Sequence, residues 1–190
     1  MVDCDDPASP APLPQIVGLG RQRLSPWVEV IERSVRYAEG EAPRTYHAVG
    51  QADYVGVLAL TADDRVPLVR LYRPAIEDFS LELPAGLLED GESPADCAGR
   101  ELMEEAGFRA GRLLPLGTLN PDTGRLSNRL HGFCALDLAP VDGWSPEAGV
   151  ERVLIDRCEF LDLILAGGFV QALHIALVGL AVASGVFPSR

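Results

Sequence analysis

The stretch GLLEDGESPADCAGRELMEEAGF, from Gly86 to Phe108, decides the fold of this chain. Its second half predicts a helix with both ends marked. Ser93 suits the N-cap position, and Pro94 suits the first helical position, where a missing N–H costs nothing. Gly107 can end the helix because glycine adopts the left-handed conformation found at many helix termini. We therefore predict a helix that starts at Pro94 and stops before Gly107.

The predicted helix has one apolar face and one acidic face. Glu101, Glu104 and Glu105 lie within an arc of roughly 100° beside the apolar face. Like charges at such spacings destabilise a helix by about 0.2–0.5 kcal/mol per pair, so we expect a cation to compensate them. Arg100 is one candidate, since it precedes Glu104 by four residues and can reach back to Glu92. The apolar face is predicted to comprise Ala95, Ala98, Leu102 and Ala106.

A divalent metal ion is the second candidate for this compensation. Clustered carboxylates are the hard oxygen ligands that Mg²⁺ and Mn²⁺ prefer. Gly86 and Gly91 flank the sequence LLED and make the entry to the helix flexible. This flexibility allows the backbone carbonyl of Ala85 to turn toward the same ion.

The overall charge favours a small phosphate ligand over nucleic acid. The chain of 190 residues has 16 Lys+Arg and 28 Asp+Glu, which give a formal net charge of −12. Such a surface repels a phosphate backbone, whereas divalent cations can bridge a small phosphate ester to acidic groups. We therefore expect no nucleic-acid partner.

The segment from Gly86 to Phe108 resembles the Nudix box, Gx5Ex7REUxEExGU, at every defined position. A chance match of its seven fixed residue types somewhere in this chain has odds on the order of 10⁻⁷. An acidic surface helix with ordinary caps is therefore the weaker interpretation. The matching residues are Gly86, Glu92, Arg100, Glu101, Leu102, Glu104, Glu105, Gly107 and Phe108.

This resemblance implies an α/β fold, a Nudix-type α/β/α sandwich with a mixed sheet, here with a short N-terminal β arm. It also implies a hydrolase that cuts a nucleoside diphosphate linked to another moiety, through attack of water activated by bound Mg²⁺, with Mn²⁺ as a possible replacement. The implied metal ligands are Glu101, Glu105 and the Ala85 carbonyl. Glu104 is implied to be a further ligand or to hold a water molecule. Arg100 and Glu92 are the implied brace between the loop and the helix.

The stretch LVRLYRPAIEDFSLELPAG is similar to the ADP-ribose and nucleotide-sugar pyrophosphatase branch of this family. By that resemblance Arg73, Glu82 and Gly86 bind the substrate. Glu82 alternates with two leucines, so it points away from the surface on which they pack, toward the cleft or toward water. The branch also carries an aromatic-Pro-x-Pro-Gly signature, where this chain has NPDTG at positions 120–124. This departure leaves the assignment to ADP-ribose open and permits other nucleotide sugars, with ADP-ribose as the first substrate to test.

The general base and the substrate stay open at this point. The branch supplies a base from a loop glutamate, for which Glu147 and Glu151 are the candidates, although a solvated charge is an ordinary alternative for each. Dinucleoside polyphosphates, CoA derivatives and nucleoside triphosphates are alternative substrates. A Nudix domain that senses a nucleotide without hydrolysing it is a further alternative, but such a domain does not need clustered carboxylates that destabilise a helix.

Composition divides the chain into three parts. Residues 1–20 are acidic and proline-rich and are predicted to form a disordered tail. Residues 21–50 are predicted to form a strand arm, with a strand from Trp27 to Tyr37, and residues 51–190 the Nudix domain. The resemblance implies a homodimer joined through the arm, in which Trp27, Tyr37 or Tyr46 stacks on a base or simply packs.

The remaining pattern predicts alternating strands and helices. Tyr54–Leu60 and Val66–Tyr72 are apolar runs separated by TADDR, which predicts a hairpin. Further elements are predicted as strands at Leu81–Leu83, Arg112–Leu119, Arg129–Leu138 and Val153–Ile155, and as helices at Glu159–Leu165 and Phe169–Ala183.

The sequence predicts a cytoplasmic protein with no membrane segment. The N-terminus lacks the features of a secretory signal, and the apolar run from Phe169 to Ala183 is shorter than the ~20 residues that cross a membrane. The four cysteines are scattered and are expected to be free thiols in a reducing compartment, with Cys97 a packing residue. His174 is expected to be a core or interface histidine.

Overall fold

The computed structural model describes residues 13–188, and these residues form two compact units. One unit comprises the described residues up to Gln51 together with Asp122–Ser127. The other comprises Ala52–Pro121 together with the described residues from Asn128 onward. Within residues 13–188, no helix is long and apolar enough to cross a membrane.

The N-terminal unit is an antiparallel sheet of three strands, β1 (Gln15–Arg23), β2 (Glu29–Arg36) and β3 (Arg44–Gly50), in the order β1-β2-β3. Residues 122–127 continue this sheet beside β3, where the Val49 amide donates to the Arg125 carbonyl at 2.7 Å. The predicted arm strand is confirmed as β2. The predicted extent of the tail is wrong, because residues from Gln15 onward pair with β2, while residues 1–12 lie outside the described part.

The second unit contains two sheets and three helices. The mixed sheet has the order β7-β4-β9-β8, in which β4 pairs with β9 in parallel, and the antiparallel sheet has the order β10-β5-β6. Its elements are β4 (Tyr54–Ala59), β5 (Arg65–Arg73), β6 (Asp78–Glu82), β7 (Ala85–Leu87), α1 (Pro94–Ala106), β8 (Phe108–Leu119), β9 (Leu130–Pro140), β10 (Val150–Asp156), α2 (Arg157–Leu165) and α3 (Ala172–Ala183).

The mixed sheet is covered on both faces, so the predicted α/β/α sandwich is confirmed. Strand β4 shows this by its alternation, since Val55 and Val57 pack with Leu102 of α1, whereas Leu58 packs with Leu177 of α3. Every one of these side chains is fully buried. A strand that is apolar at consecutive positions is typical of a sheet covered by helices on both sides.

The predicted hairpin of β4 and β5 is wrong, although the turn between the strands is present. The Thr61 amide donates to the Arg65 carbonyl at 2.9 Å and closes that turn. Strand β4, however, pairs with β7 and β9, whereas β5 pairs with β10 and β6. Each strand is central in its own sheet and has both edges paired, so neither has an edge left for the other.

Helix α1 begins and ends as predicted. The Ser93 hydroxyl accepts a hydrogen bond from the Asp96 amide, and Gly107 has φ 72°, the left-handed conformation that ends the helix. Its predicted inward face needs one correction, because Ala95 is exposed and Cys97 is buried instead. The thiol of Cys97 lies 3.5 Å from the Leu87 carbonyl, so this residue packs beneath β7, as its expected packing role requires.

His174 lies in the core between α3 and the sheet, as predicted. It is 1% exposed, and its Nδ1 accepts a hydrogen bond from the Leu83 amide at 3.1 Å. Burial lowers the pKa of His174 to about 4. The ring is therefore neutral at ordinary pH, and it serves the fold.

Candidate active site

Glu101 lies on α1 where the helix comes closest to β7. It is only 8% exposed, and its carboxylate rests against Gly86. A Cβ at Gly86 would lie 1.9 Å from Glu101 Oε1, so any larger residue at position 86 would displace the Glu101 carboxylate. Burial raises the pKa of Glu101, and the hydrogen bond and charge of Arg100 oppose this shift.

Arg100 joins three glutamates. Its Nε and Nη2 donate to the two oxygens of Glu92, at 2.8 Å and 2.9 Å, so the predicted contact between the loop and the helix is confirmed. Its Nη1 donates to Glu101 at 2.7 Å and to Glu104 at 3.1 Å. The hydrogen bonds from Arg100 hold the pKa of Glu92 at about 2. Arg100 thus contacts three of the four glutamates, and its single positive charge compensates part of their negative charge.

Glu105 is the one glutamate of the cluster to which Arg100 donates no hydrogen bond in the described structure. Its Oε2 accepts a hydrogen bond from the backbone amide of Ala85 at 2.8 Å, which places the Ala85 peptide beside the acidic cluster. Burial raises the pKa of Glu105 to about 7, and the neighbouring charge of Glu101 adds to this rise. A buried carboxylate without a cation of its own is therefore the least satisfied group in the cluster.

The donor set of the cluster fits a hard divalent cation. Glu101, Glu104 and Glu105 supply carboxylate oxygens, and the raised pKa of Glu105 shows that positive charge would be stabilising there. In the described part of the chain, no three acidic, histidine or cysteine side chains converge closely enough to hold a metal as they stand. Arg100 donates to the carboxylates of Glu101 and Glu104, and the Ala85 amide donates to that of Glu105.

Arg73 and Glu82 form an ion pair on one face of the antiparallel sheet, in which Glu82 is buried and Arg73 is exposed. The Nε and Nη2 of Arg73 donate to the two oxygens of Glu82, at 2.8 Å and 2.7 Å. Burial raises the pKa of Glu82, but the hydrogen bonds and charge of Arg73 outweigh it and bring that pKa below its ordinary value. Leu81 and Leu83 pack on the α3 side, so the predicted alternation is confirmed. The charge of Arg73 lowers the pKa of Glu105, and the charge of Glu82 raises it.

The two candidate bases lie in different settings. Glu147 is exposed in the segment between β9 and β10. Glu151 lies in β10 itself, opposite Arg70 of β5, and its carboxylate accepts from that guanidinium at 3.2 Å. Glu151 is therefore engaged in a surface ion pair, whereas Glu147 has a free carboxylate within the described structure.

Comparison with known proteins identifies the family of this chain. A model of the NUDIX domain matches residues 50–160, which is more than half of the chain. The chain belongs to the NUDIX family. This Nudix chain is 28% identical over 137 residues to the ADP-ribose pyrophosphatase of Bacillus subtilis (strain 168), covering 72% of this chain and 69% of that protein.

Two further relatives of this Nudix protein are named for ADP compounds. The ADP compounds hydrolase NudE of Escherichia coli (strain K12) is 32% identical over 116 residues, which is 60% of this chain and 62% of that protein. A crystal structure of an ADP compounds hydrolase superposes with a TM-score of 0.76 at 25% identity and covers 93% of this chain and 96% of that one. Family membership makes this chain a hydrolase of pyrophosphate bonds, and Nudix hydrolases generally use divalent metal cations.

Two residues of the Nudix site are not marked by any motif. The Trp144 indole N–H donates to the Glu104 carbonyl at 2.9 Å, and Arg152 donates to the Ala106 carbonyl at 2.9 Å. Both bonds span at least 40 residues of sequence. The signal available in the sequence is a lone tryptophan in a polar stretch, which alone does not identify its partner.

The N-terminal unit of the Nudix chain holds its own aromatic pair. The rings of Tyr37 and Tyr46 meet edge to face, with centroids 6.4 Å apart and their hydroxyls 3.0 Å apart. Tyr46 also lines a cavity of about 550 Å³ with Arg33 and Arg125 of the same unit. Trp27 is exposed and has no ring contact in the described structure.

Proposed function

We propose that this chain hydrolyses the pyrophosphate bond of a nucleoside diphosphate sugar and releases a nucleoside monophosphate and a sugar phosphate, with ADP-ribose as the first substrate to test. The observation that carries this proposal is the proximity of two groups of opposite chemistry. Arg73, a cation suited to phosphate, and Glu101 of α1 both act electrostatically on the partly buried Glu105. A diphosphate needs both a cationic grip and carboxylates that hold metal.

We propose that Glu101, Glu104, Glu105 and the Ala85 carbonyl hold Mg²⁺, which Mn²⁺ can replace. When bound, the divalent cation supplies positive charge to the diphosphate and lowers the pKa of water. Arg100 and Glu92 keep the carboxylates of α1 in place by a pair of short hydrogen bonds across the loop. Gly86 leaves the space that the Glu101 carboxylate occupies.

Arg73 is the proposed phosphate-binding residue and Glu82 the residue that orients it. A guanidinium has five N–H donors, and two of those on Arg73 are taken by Glu82. The remaining donors are available to a substrate because the Arg73 side chain is 44% exposed, whereas Glu82 is 5% exposed. Loss of either partner is expected to raise KM more than it lowers kcat.

Glu147 is the proposed general base, ahead of Glu151. Glu151 pairs with Arg70 on the sheet face opposite to Arg152, which points toward α1. Glu147 lies in a run of five exposed residues, Ser145 to Gly149, and its carboxylate has no partner in the described structure. Glu147→Gln is expected to lower kcat roughly 100-fold and Glu151→Gln less than about three-fold. The reverse order of effects would assign the base to Glu151.

A substrate panel tests the proposed function. The purified chain is incubated with Mg²⁺ and, in separate reactions, ADP-ribose, other nucleotide sugars, a dinucleoside polyphosphate, a CoA derivative and a nucleoside triphosphate. Phosphorus NMR then identifies the products, and reactions in ¹⁸O-labelled water show which phosphorus is attacked. AMP and ribose phosphate from ADP-ribose are the expected products. Tight binding of ADP-ribose without turnover under any divalent metal would favour a nucleotide sensor instead.

A homodimer that uses the N-terminal unit is also proposed. Strand β1 presents the exposed apolar side chains of Ile16 and Leu19, and its outer edge pairs with no other strand of the described structure. Tyr46 beside its cavity is the proposed contact for the nucleotide base. Light scattering of the intact chain is expected to give twice the monomer mass, and Ile16→Glu is expected to halve it.

A cytoplasmic location is proposed from the thiols. Cys97, Cys134 and Cys158 are all free in the described structure, and Cys158 is exposed. An exposed thiol persists in a reducing compartment. Fractionation of cells that produce the chain tests this location.

A further inference from the structure

The carboxyl end of α1 lacks the groups that ordinarily stabilise such an end. Backbone carbonyls in the last turn have no partner within the helix, and the partial negative charge of the helix dipole collects there. Helix α1 has no basic residue in its last turn and instead places Glu104 and Glu105 at that end. Gly107 satisfies the carbonyls of Leu102 and Met103, which leaves later carbonyls without a local donor.

Two residues from distant parts of the chain supply the missing donors. Trp144 donates its indole N–H to the Glu104 carbonyl, and Arg152 of β10 donates to the Ala106 carbonyl, both at 2.9 Å. Arg152 also places a positive charge where the dipole requires one. The guanidinium lies 4.4 Å from the centroid of the Trp144 ring and 5.4 Å from that of Phe108.

Close packing fixes the position of Trp144 against the end of α1. A Cβ on Gly107 would lie 2.5 Å from the Trp144 ring, so the indole sits directly on the glycine that ends the helix. The amide of Val141 donates to the Gly107 carbonyl at 2.9 Å, which fixes the start of the segment that carries Trp144. We call the contact of Trp144 and Arg152 with the carboxyl end of α1 the helix clasp.

The helix clasp connects two parts of the reaction site. On one side it holds the backbone of Glu104, one residue before Glu105. On the other side it holds Trp144, three residues before Glu147. A side chain whose backbone is fixed at one end of a short segment samples a smaller volume, so the clasp restricts where the Glu147 carboxylate can lie relative to α1.

We propose that Trp144 and Arg152 are positioning residues for the hydrolysis: through the helix clasp they hold the metal-binding end of α1 and the segment of the general base in one arrangement. This inference rests on the proposed function. Neither residue needs to touch the substrate, since each acts through a backbone carbonyl of the helix.

Graded variants test the helix clasp by kinetics. Trp144→Phe keeps a ring for Arg152 but loses the N–H, and Trp144→Ala loses both. With ADP-ribose and Mg²⁺, we expect kcat to fall roughly 10-fold in Trp144→Phe and roughly 100-fold in Trp144→Ala, with KM changed less than about three-fold. Arg152→Lys, which retains a donor and a charge, is expected to retain more activity than Arg152→Met.

A matched control separates positioning from general loss of structure. Arg157→Met removes an arginine that also donates to a distant backbone carbonyl, that of Pro188. This control is expected to keep the kcat of the parent chain. If Trp144→Ala does not fold, the comparison of Trp144→Phe with Arg157→Met decides. A kcat of Trp144→Phe and Arg152→Met within about two-fold of the parent would overturn the proposal.

A measurement without turnover distinguishes failure of the clasp from failure of the proposed function. Hydrogen exchange of the metal-free protein is expected to accelerate in peptides from the end of α1 and the segment around Trp144 in Trp144→Phe, while the exchange of α3 is unchanged. Mn²⁺ affinity, measured by electron paramagnetic resonance, is expected to weaken in the same variant. If the parent chain hydrolyses nothing, these two readouts still decide, and unchanged exchange with unchanged Mn²⁺ affinity would refute the clasp.

Discussion

The α1 face and the α3 face of the mixed sheet are both closely packed, yet they differ in the groups that they bury. The α1 face buries the carboxylate of Glu101 and partly buries that of Glu105 beside its apolar core, whereas the α3 face encloses His174 among phenylalanines and leucines. Burial disfavours the charged form of every one of these groups. His174 loses its charge and serves the fold, while the α1 face retains charges that the fold alone does not need.

The two faces therefore respond to pH in opposite directions. The folded-state pKa of Glu105, about 7, lies above its ordinary 4.5, so the folded state binds more protons in that window and stability falls as pH rises through it. The folded-state pKa of His174, about 4, lies below its ordinary 6.5, so stability falls as pH drops through that window. The two effects oppose each other between pH 4.5 and 6.5.

The largest expected effect comes from removing the charge of the α1 face. Glu105→Gln is expected to lower kcat by at least about 100-fold, because a proposed metal ligand loses its charge. The same change is expected to raise the free energy of unfolding of the metal-free protein at pH 8 by about 2 kcal/mol, because a buried charge is removed. Steady-state kinetics and urea unfolding measure the two quantities.

Glu159→Gln is the control for this substitution, since Glu159 is an exposed glutamate on α2. It should leave kcat unchanged and lower the free energy of unfolding by at most about 1 kcal/mol, since Glu159 lies in the first turn of α2. Parent-like turnover of Glu105→Gln would remove Glu105 from the site and erase the distinction between the two faces.

The α3 face should show the converse result. Leu177→Ala removes a fully buried side chain from the core around α3 and is expected to lower the free energy of unfolding by about 3 kcal/mol. The kcat of the molecules that remain folded should stay as in the parent. Leu165→Ala, at a leucine that is 77% exposed, is the control and should change stability by less than about 0.5 kcal/mol. A loss of kcat in Leu177→Ala would mean that the two faces are coupled.

His174→Gln separates the two pH responses. The amide cannot titrate, so the variant should lose the fall in stability that His174 causes as the pH drops from 6.5 toward 4, a difference of about 2 kcal/mol. The rise in stability that protonation of Glu105 causes as the pH drops from 7 to 4.5 should then be visible. Urea unfolding of the metal-free protein across this range measures both, with His47→Gln on β3 as the control. An unchanged pH profile would contradict the assigned role of His174.

The local features of α1 were predictable because they depend on neighbours in sequence. Ser93, Pro94 and Gly107 act within one helical turn of the residues that they stabilise, and the pairing of Arg100 with Glu92 spans eight residues. The acidic face followed from helical periodicity alone.

Features that depend on partners far along the chain were not predictable in this way. The runs of β4 and β5 look like a hairpin, because an apolar strand carries no mark of which sheet it joins. Ala95 is exposed although helical periodicity places it on the apolar face, and the clasp residue Trp144 finds its partner 40 residues away. Gln15 likewise belongs to a strand only because β2 is there to pair with it.

The smallest expected effect tests how much the N-cap of α1 contributes to the free energy of unfolding. Ser93→Ala removes the N-cap hydrogen bond to the Asp96 amide and is expected to lower the free energy of unfolding by about 1 kcal/mol. Turnover per folded molecule should stay within about two-fold, because the acidic residues lie at the other end of the helix. Ser145→Ala, at an exposed loop serine, is the control for thermal unfolding. A large loss of turnover would mean that the cap also holds the carboxylates.

The parallel pairing of β4 with β9 sets the order in which the chain can assemble. Tyr54 lies opposite Leu130, and the connection between the two strands contains β5 to β7, α1 and β8. Closing so long a loop has a large entropic barrier until the intervening elements have condensed. Folding should accordingly be slow, and we expect α1 to form before β4 pairs with β9.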